Sequence, residues 1–563
     1  MYKIYTKMSF FFYTKFLFTF IIRPSIKLIE SLKGDKLRTK SLNSILKMSI
    51  GLLVGTVSLN ASDVIDGKTI LDTKCVACHT SSSNGLSRIS DLRKTPEGWF
   101  MSVDRMQKDH GLILTKDEEQ SVVKYLSDIQ GLNYEETKPL RYILEKTPNY
   151  QESFEDPLFV ESCARCHSGA RVGLQRRTLD EWGNLVNFHL GKFPTLEYQA
   201  LSRDREWLSI ALNDVSPMLA KEYGNDKKFE LERIDFEGSW NLFGHKLGDG
   251  DFYATMTISK SSNDKYKVNF DGKFADGRDF KATGTANVFS GYEFRATLDI
   301  DGIKYNQVLA VDPKTYEISG SMFEILHPEE YSSISGVKST NIQTSILGVY
   351  PKSVKAGTSE IITVIGNNLD KKIKLSSSLK LNKIVEQSKN KIVLEVSASS
   401  NLDSKMVDLK IGSVNFKDTF VVYKQIDSIK VSPSYAIARV GDGGGAMPKQ
   451  HAIFEANGYL AGKDRKIGTS DDISIGKVDA KWNIAPFDER SKEDEDVKFV
   501  GTMDSFSGRF TPSFAGPNPK RKFQTNNAGN IKVIATYKDG NKTLSADFHM
   551  MVTVQKWVNP PIN

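Results

Sequence analysis

Apolar positions follow three regimes along this chain. Residues 1–59 hold two continuous apolar blocks, 1–22 and 48–59, with a basic stretch between them. From about 62 to 228 apolar residues recur at helical spacing, clearest over 95–106, 115–129 and 179–190, which predicts amphipathic helices. Thr95-Pro96-Glu97 and Thr115-Lys116-Asp117-Glu118 have the form of helix starts, a threonine cap followed by acids in the first turn. After about Leu231 the period drops to two. Short alternating segments at 253–258, 266–270, 280–284, 292–300 and 304–311 are split by Asp-Gly or Ser-Gly turns such as Asp271-Gly272, Asp276-Gly277 and Asp301-Gly302. That pattern predicts an antiparallel barrel-like domain over 230–337. Segments 349–351, 360–365 and 391–396 suggest an immunoglobulin-like β domain over 343–425, and a further β domain follows at 426–557. The expected fold class is multidomain: a mostly α domain at 62–228, then three all-β domains, a small barrel followed by immunoglobulin-like sandwiches.

The apolar block at 48–59 follows Lys36, Arg38, Lys40 and Lys47 and ends in Asn60-Ala61-Ser62. A basic region, a short apolar core and small residues at a cleavage site form an export signal. The block is shorter than the ~20 apolar residues of a membrane span. Residues 1–22 read either as a second hydrophobic anchor or as an over-extended start of the reading frame. The region 1–61 is therefore set aside as leader. It carries ten Lys or Arg and two acids, whereas the whole chain has a net charge of +7. The remainder is close to neutral, so net charge gives no support to a nucleic-acid-binding surface.

The chain has four cysteines, and all of them fall in two copies of C-x-x-C-H: Cys75-Val76-Ala77-Cys78-His79 and Cys163-Ala164-Arg165-Cys166-His167. This is the attachment signature of c-type haem, with two thioether-forming thiols and a histidine that becomes the proximal iron ligand. A thioredoxin-like pair would follow a strand, and a zinc cage would need a second ligand pair nearby; neither copy has these surroundings. The expected cofactors are two haem c, bound through Cys75, Cys78, Cys163 and Cys166, with His79 and His167 on iron. Covalent haem attachment takes place outside the bacterial cytoplasm, in keeping with an exported, periplasmic chain.

The two halves read as a duplication. Aligning Trp99 with Trp182 places Val103 over Val186 and Met106 over His189, each seven residues past its tryptophan and so on one helix face with it. Met and His are the common sixth ligands of c-type haem, which makes Met106 and His189 the candidate distal pair. His110 is a rival to Met106, and packing is the plain alternative for each. Arg171, Arg176 and Arg177 are candidates for haem propionates or for a solvated basic face. With a thioether on the first iron and an imidazole on the second, electrons are expected to run from the second haem to the first.

Elsewhere the chemistry is thin. Asp464 to Asp472 gathers carboxylates about Gly468 as calcium loops do, but lacks the full ligand spacing; a turn held by Asx hydrogen bonds is the simpler reading. Gly441 to Gly445 has no Walker lysine. His245, His327, His451 and His549 stand singly and read as ordinary histidines.

Taken together, the motifs resemble the alpha subunit of quinohemoprotein amine dehydrogenase. The matching residues include Glu97-Gly98-Trp99, Arg105-Met106 and His110-Gly111 in the first half, and Ala170-Arg171-Val172, Glu181-Trp182 and Phe188-His189 in the second. In the last domain they include Gly468-Thr469, Asp471-Asp472-Ile473, Pro486-Phe487, Ala515-Gly516-Pro517-Asn518-Pro519 and Thr525-Asn526-Asn527-Ala528-Gly529-Asn530. Lys192 departs from the glutamine expected there, a change that bears on a propionate contact or a potential. The resemblance implies a periplasmic three-subunit enzyme that deaminates primary amines oxidatively to aldehydes and ammonia. It implies that cysteine tryptophylquinone is carried by a small crosslinked subunit, with a beta-propeller subunit completing the site and a soluble cytochrome c or cupredoxin accepting the electrons. It places no catalytic residue in this chain, whose cysteines are all committed to haem. The competing readings are a stand-alone dihaem electron-transfer or surface-binding protein with β docking domains, and a dihaem peroxidase, which needs an open distal site.

Overall fold

The computed structural model describes residues 66–562, apart from 84, 195, 197–205, 263–264 and 444–445. The export signal, its cleavage site and the block 1–22 lie outside the described residues. Among the described residues no helix is long and apolar enough to cross a membrane.

The first region is helical because its caps and its apolar stripes agree. Helix α1 (Gly67–Thr73) is capped by Asp66, and α2 (Pro96–His110) by Thr95, whose hydroxyl accepts from Gly98 N. Proline at the first position costs α2 no hydrogen bond, and Gly111, at φ 73°, ends it in the left-handed conformation that glycine adopts freely. Helix α3 (Lys116–Ile129) begins in a full capping box between Thr115 and Glu118. After α4 (Pro157–Cys163), α5 (Leu179–Lys192) starts on Thr178, which accepts from Glu181 N. Two short strands, β1 (Leu92–Lys94) and β2 (Gln175–Arg177), pair antiparallel just ahead of α2 and α5.

The strands β3 (Gly238–Lys246), β4 (Gly250–Ser262), β5 (Lys265–Phe274), β6 (Asp279–Phe289), β7 (Glu293–Ile300), β8 (Ile303–Val311), β9 (Glu317–Glu324) and β10 (Tyr331–Lys338) each pair with the next, and β10 pairs back onto β3. The result is a closed barrel. Alternate residues point inward, and Phe236, Trp240, Phe252, Phe270 and Phe294 fill the interior. The sequence misplaces one turn here. Asp271-Gly272 lies inside β5, with Gly272 opposite Phe280, and the chain reverses at Asp276-Gly277 instead. Gly272 serves packing: a Cβ there would lie 2.3 Å from the Phe280 ring, so the ring needs the bare backbone beneath it.

Two four-stranded sheets follow. One comprises Ser345–Tyr350, Ser359–Asn367, Lys391–Ser397 and Lys380–Gln387; the other comprises Ser353–Lys355, Val414–Tyr423, Lys405–Ile411 and Ile373–Leu375. They share a core that includes Ile362, Leu394, Leu409 and Phe420. Three further sheets make the last domain around Phe454, Trp482, Phe510 and Met550.

The helical region is fastened to the barrel. Leu132, Leu140 and Leu144 share a buried cluster with Val308 and Phe323 of β8 and β9, and Tyr292 Oη donates to Leu132 O at 3.0 Å. Each such side chain contributes about 2 kcal/mol on burial, more than a surface ion pair contributes. Arg295 of β7 bonds Glu97, in the first turn of α2, at 2.7 Å.

A second joint, between barrel and last domain, runs through His245, which the sequence offers as an isolated histidine. Its Nδ1 lies 2.7 Å from Asp251 and its Nε2 2.7 Å from Glu455. Burial by itself would lower its pKa, but the hydrogen bonds to Asp251 and Glu455 outweigh burial and raise it to about 9. The stabilisation is therefore complete below about pH 6.5, the unfolded value, and is lost as pH rises through about 9. The shift corresponds to at most about 3 kcal/mol, and solvent screening brings that towards about 1–2. Denaturation midpoints measured between pH 6 and 10 should fall for the wild type and fall much less for His245→Gln; parallel curves would contradict the assignment.

Candidate haem-binding sites

Each C-x-x-C-H motif sits where a helix ends. After α1, Cys75–Ala77 form a 3-10 turn that brings His79 N to Cys75 O at 3.0 Å. In the second copy Cys163 is the last residue of α4. Cys75 and Cys163 are half-buried, and Cys78 and Cys166 are exposed. Cys75 packs against the cluster containing Trp99 and Val103, and Cys163 against the one containing Trp182. Burial, with Asp156 nearby, pushes the Cys163 thiol up to about 12. That is the reverse of what a nucleophilic or zinc-binding thiolate requires, whereas an uncharged thioether suits the same burial.

The imidazoles share one arrangement. His79 Nδ1 lies 2.9 Å from Ser87 O, His167 Nδ1 2.9 Å from Ser168 O, and His189 Nδ1 2.8 Å from Leu185 O. A carbonyl only accepts, so Nδ1 carries the proton in each ring and Nε2 keeps its lone pair. A carbonyl bonded to the far ring nitrogen fixes a histidine for a metal in this way. Burial lowers the pKa of His167 and His189, which favours the neutral, ligating form. His189 also contributes to the shift of His167, as a neighbour does.

The two halves are related by the β1–β2 pair. Its register, Leu92↔Arg177, Arg93↔Arg176 and Lys94↔Gln175, puts Arg93 and Arg176 at the centre of an approximate twofold. On each side a strand leads into a threonine cap and a helix whose fourth residue is a buried tryptophan, Trp99 or Trp182. Met106 and His189 then fall at the same turn of α2 and α5. Met106 is half-buried, while His110, the last residue of α2, is exposed. The helices meet through Arg105, whose guanidinium lies 4.4 Å from the centre of the Phe188 ring. Lys192 Nζ bonds Asp109 at 2.6 Å. The departure at Lys192 therefore ties α5 to α2.

The arginines divide into two kinds. Arg93 makes a two-pronged pair with Glu136, and Arg176 bonds Glu136 as well as Gly173 O and Gln175 O. Arg177 bonds Gln175 Oε1 and pairs with Glu181. Arg176 and Arg177 thus already have partners in the protein. By contrast Arg105 and Arg171 hydrogen-bond no carboxylate among the described residues, and buried Lys94 has Ser102 at 2.6 Å. Burial, with Arg177 and Arg105 close by, holds the Lys94 pKa well below its usual value. Trp182 Nε1 is buried with no partner, whereas its counterpart Trp99 Nε1 donates to Gln130 O at 3.1 Å. A buried indole N–H without an acceptor, together with cations that hydrogen-bond no carboxylate among the described residues, fits a group that brings carboxylates, as haem does. Sequence reading missed Lys94 and Arg105. The signal was present: carried back from the tryptophans, the duplication sets Arg93-Lys94-Thr95 over Arg176-Arg177-Thr178.

The other sequence candidates resolve differently. Asp464, Asp471 and Asp472 accept from Lys466 N, Asp464 N and Gly468 N, and Asp472 also accepts from Lys430 Nζ at 2.7 Å. These carboxylates hold a turn. His327 and His451, read as solitary, lie side by side with ring centres 5.8 Å apart.

Four family models match the chain in consecutive blocks. Residues 65–229 match the quinohemoprotein amine dehydrogenase alpha-subunit haem-binding model, and 234–339, 343–424 and 429–562 match alpha-subunit domains II, III and IV. No curated protein matches the chain. Among solved structures, a de novo designed fluorescence-activating beta barrel is 22% identical over 18% of this chain and 93% of its own, with a TM-score of 0.16. The fluorescent protein UnaG is 13% identical over 18% and 96%, with a TM-score of 0.14. A Bacteroides ovatus mixed-linkage glucan utilization locus protein, SGBP-B, is 10% identical over 56% and 60%, with a TM-score of 0.17.

Proposed function

Because the chain belongs to the quinohemoprotein amine dehydrogenase alpha-subunit family, we propose that it is the electron-relay subunit of an exported, periplasmic enzyme that deaminates primary amines oxidatively. In this reading two haem c are held through Cys75, Cys78 and His79, and through Cys163, Cys166 and His167, with Met106 and His189 as the distal ligands. The observation that carries it is the shared Nδ1-to-carbonyl geometry of His79, His167 and His189, set about the approximate twofold at Arg93 and Arg176. Bound haem supplies a one-electron carrier at each site. The work of the chain is to hold and tune: Ser87, Ser168 and Leu185 aim the imidazoles, and Lys94, Arg105, Arg171 and Trp182 would be available to hold the propionates. With haem bound, the thioether of Met106 would favour the reduced state on the first iron relative to the second, which would direct electrons from the His189 side towards the Met106 side. The quinone, cysteine tryptophylquinone, resides in a small partner subunit beside a beta-propeller subunit, and a soluble cytochrome c or cupredoxin receives the electrons. The two β domains after the barrel are, in this reading, of immunoglobulin-like build.

The last domain offers a surface for those partners. Phe514 and Phe523 are 58% and 85% exposed on the 514–527 loop, whose Asn527 Nδ2 donates to Phe514 O. Exposed aromatics of this size mark interfaces, and Phe523 is held at φ 59°, a conformation bulky residues avoid. Phe523→Ala should weaken retention of the partner subunits by tenfold or more, on the order of 1.4 kcal/mol, while the haem spectrum stays unchanged. Equal retention would remove this loop from the interface.

Isolation of the native assembly, with mass analysis of each component, tests the reading as a whole. Recovery with a propeller subunit and a small thioether-crosslinked subunit is expected. A chain that purifies alone contradicts it.

A further inference from the structure

The rim where the barrel meets the last domain brings together two histidines and a glutamate that are far apart in the sequence. His327 and Glu329 lie on the turn between β9 and β10, and His451 directly precedes the short strand Ala452–Ile453. Each offers a ligand atom within 4.8 Å of the others. Glu329 is only 7% exposed. One of its oxygens accepts from His451 N at 2.9 Å and lies 3.1 Å from His327 Nδ1, but Oε2 is buried with no partner. His451 Nδ1 is likewise buried and unpartnered.

Two orphaned polar atoms on facing residues of one cluster require an explanation, because buried polar groups are nearly always satisfied. The nearby charges do not provide it. Glu330 is taken up by Arg509 and by Lys246, the latter at 3.6 Å. Both elements that carry the cluster are held in place: Glu330 N donates to His327 O at 2.8 Å, and Ala452 is registered opposite Phe510. The backbone that carries the donors is therefore fixed before any ligand arrives.

We infer that His327, Glu329 and His451 bind a zinc-like divalent cation that clasps the barrel to the last domain. Two imidazole nitrogens and one carboxylate oxygen form the donor set of a four-coordinate zinc site with water in the remaining position. Calcium and magnesium call for more oxygen ligands than the cluster holds. The cation would satisfy Glu329 Oε2 and His451 Nδ1 together. It would also bridge two domains whose ligands come from distant parts of the chain, which ties the role to structure and not to electron transfer.

The test uses the haem-loaded protein, in which the haem-bound histidines do not compete. After treatment with a chelator, zinc is titrated in and metal content is measured beside the haem iron. One zinc per chain is expected, together with a rise in the unfolding midpoint. His451→Ala and His327→Gln should each weaken zinc binding by a hundredfold or more and abolish the rise. An unchanged haem spectrum in each variant reports an intact fold, and partly exposed His327 serves if His451→Ala fails to fold. A wild type that takes up no zinc, or variants that take up as much as the wild type, overturns the inference and leaves a water between the orphaned atoms.

Discussion

Replacing Met106 by His is expected to lower the midpoint potential of the first haem by on the order of 0.1 V. Axial ligands spread haem potentials over about 0.8 V, and a thioether sits above a second imidazole. Met106 occupies the position of His189 in the duplicated helix, seven residues past a buried tryptophan and half-buried, so an imidazole there reproduces the second site. On the proposed ligation both irons would then be bound by two histidines, the proposed difference that directs electrons would shrink, and transfer to the external acceptor should slow. His110 provides the control. It is exposed at the end of α2, and His110→Ala should leave both potentials and the spectrum unchanged. A potential that does not move in Met106→His and does move in His110→Ala would exchange their roles. The Asp109–Lys192 pair beside His110 makes a further distinction: its loss loosens the contact of α2 with α5 without altering an iron ligand.

Glu136→Gln should destabilise the haem region by about 3 kcal/mol, the usual cost of leaving buried charge without its partner. Glu136 is the shared counter-charge of Arg93 and Arg176, which meet across the β1–β2 pair and are 3% and 8% exposed. Burial would raise its carboxyl, but the hydrogen bond from Arg93 and the charge of Arg176 outweigh that and hold it below the usual glutamate range. Its contribution is thus complete above the unfolded value of about 4.3 and fades as pH falls through the lowered native one. Glutamine keeps the shape and removes the charge. Two buried guanidinium groups then face each other at the pivot of both haem halves. Denaturant unfolding followed by haem absorbance measures the effect. Neighbouring Glu135, exposed and paired with Lys314, should change by less than about 0.5 kcal/mol when made Gln. A loss below about 1 kcal/mol for Glu136→Gln would show that the arginines find other partners.

What the sequence revealed was local. Thr95 and Thr115 announce their helices because a cap and its first turn are adjacent residues. The haem motifs are contiguous, and the alternation that builds the barrel has a period of two. The tryptophan-anchored duplication was also legible, and the structure extends it back to Arg93 and Arg176. What escaped was decided between distant segments. Gly272 looks like a turn residue until Phe280 is laid across it. Arg176 looks free until Glu136 reaches it from the short helix Tyr134–Thr137. His245, His327 and His451 look ordinary until the barrel rim meets the last domain. Lys192 and Asp109 are far apart in sequence, and only the packing of α2 on α5 pairs them.

The central claim is that electrons from amine oxidation in a partner pass through both haems of this chain. Adding a primary amine to the oxidised native assembly, with the haem absorbance followed in time, tests it most directly. The account predicts reduction of both haems, in proportion to the amine added and without any other reductant. Haems that a chemical reductant reduces but that stay oxidised with amine, in an assembly containing all of its subunits, would contradict it.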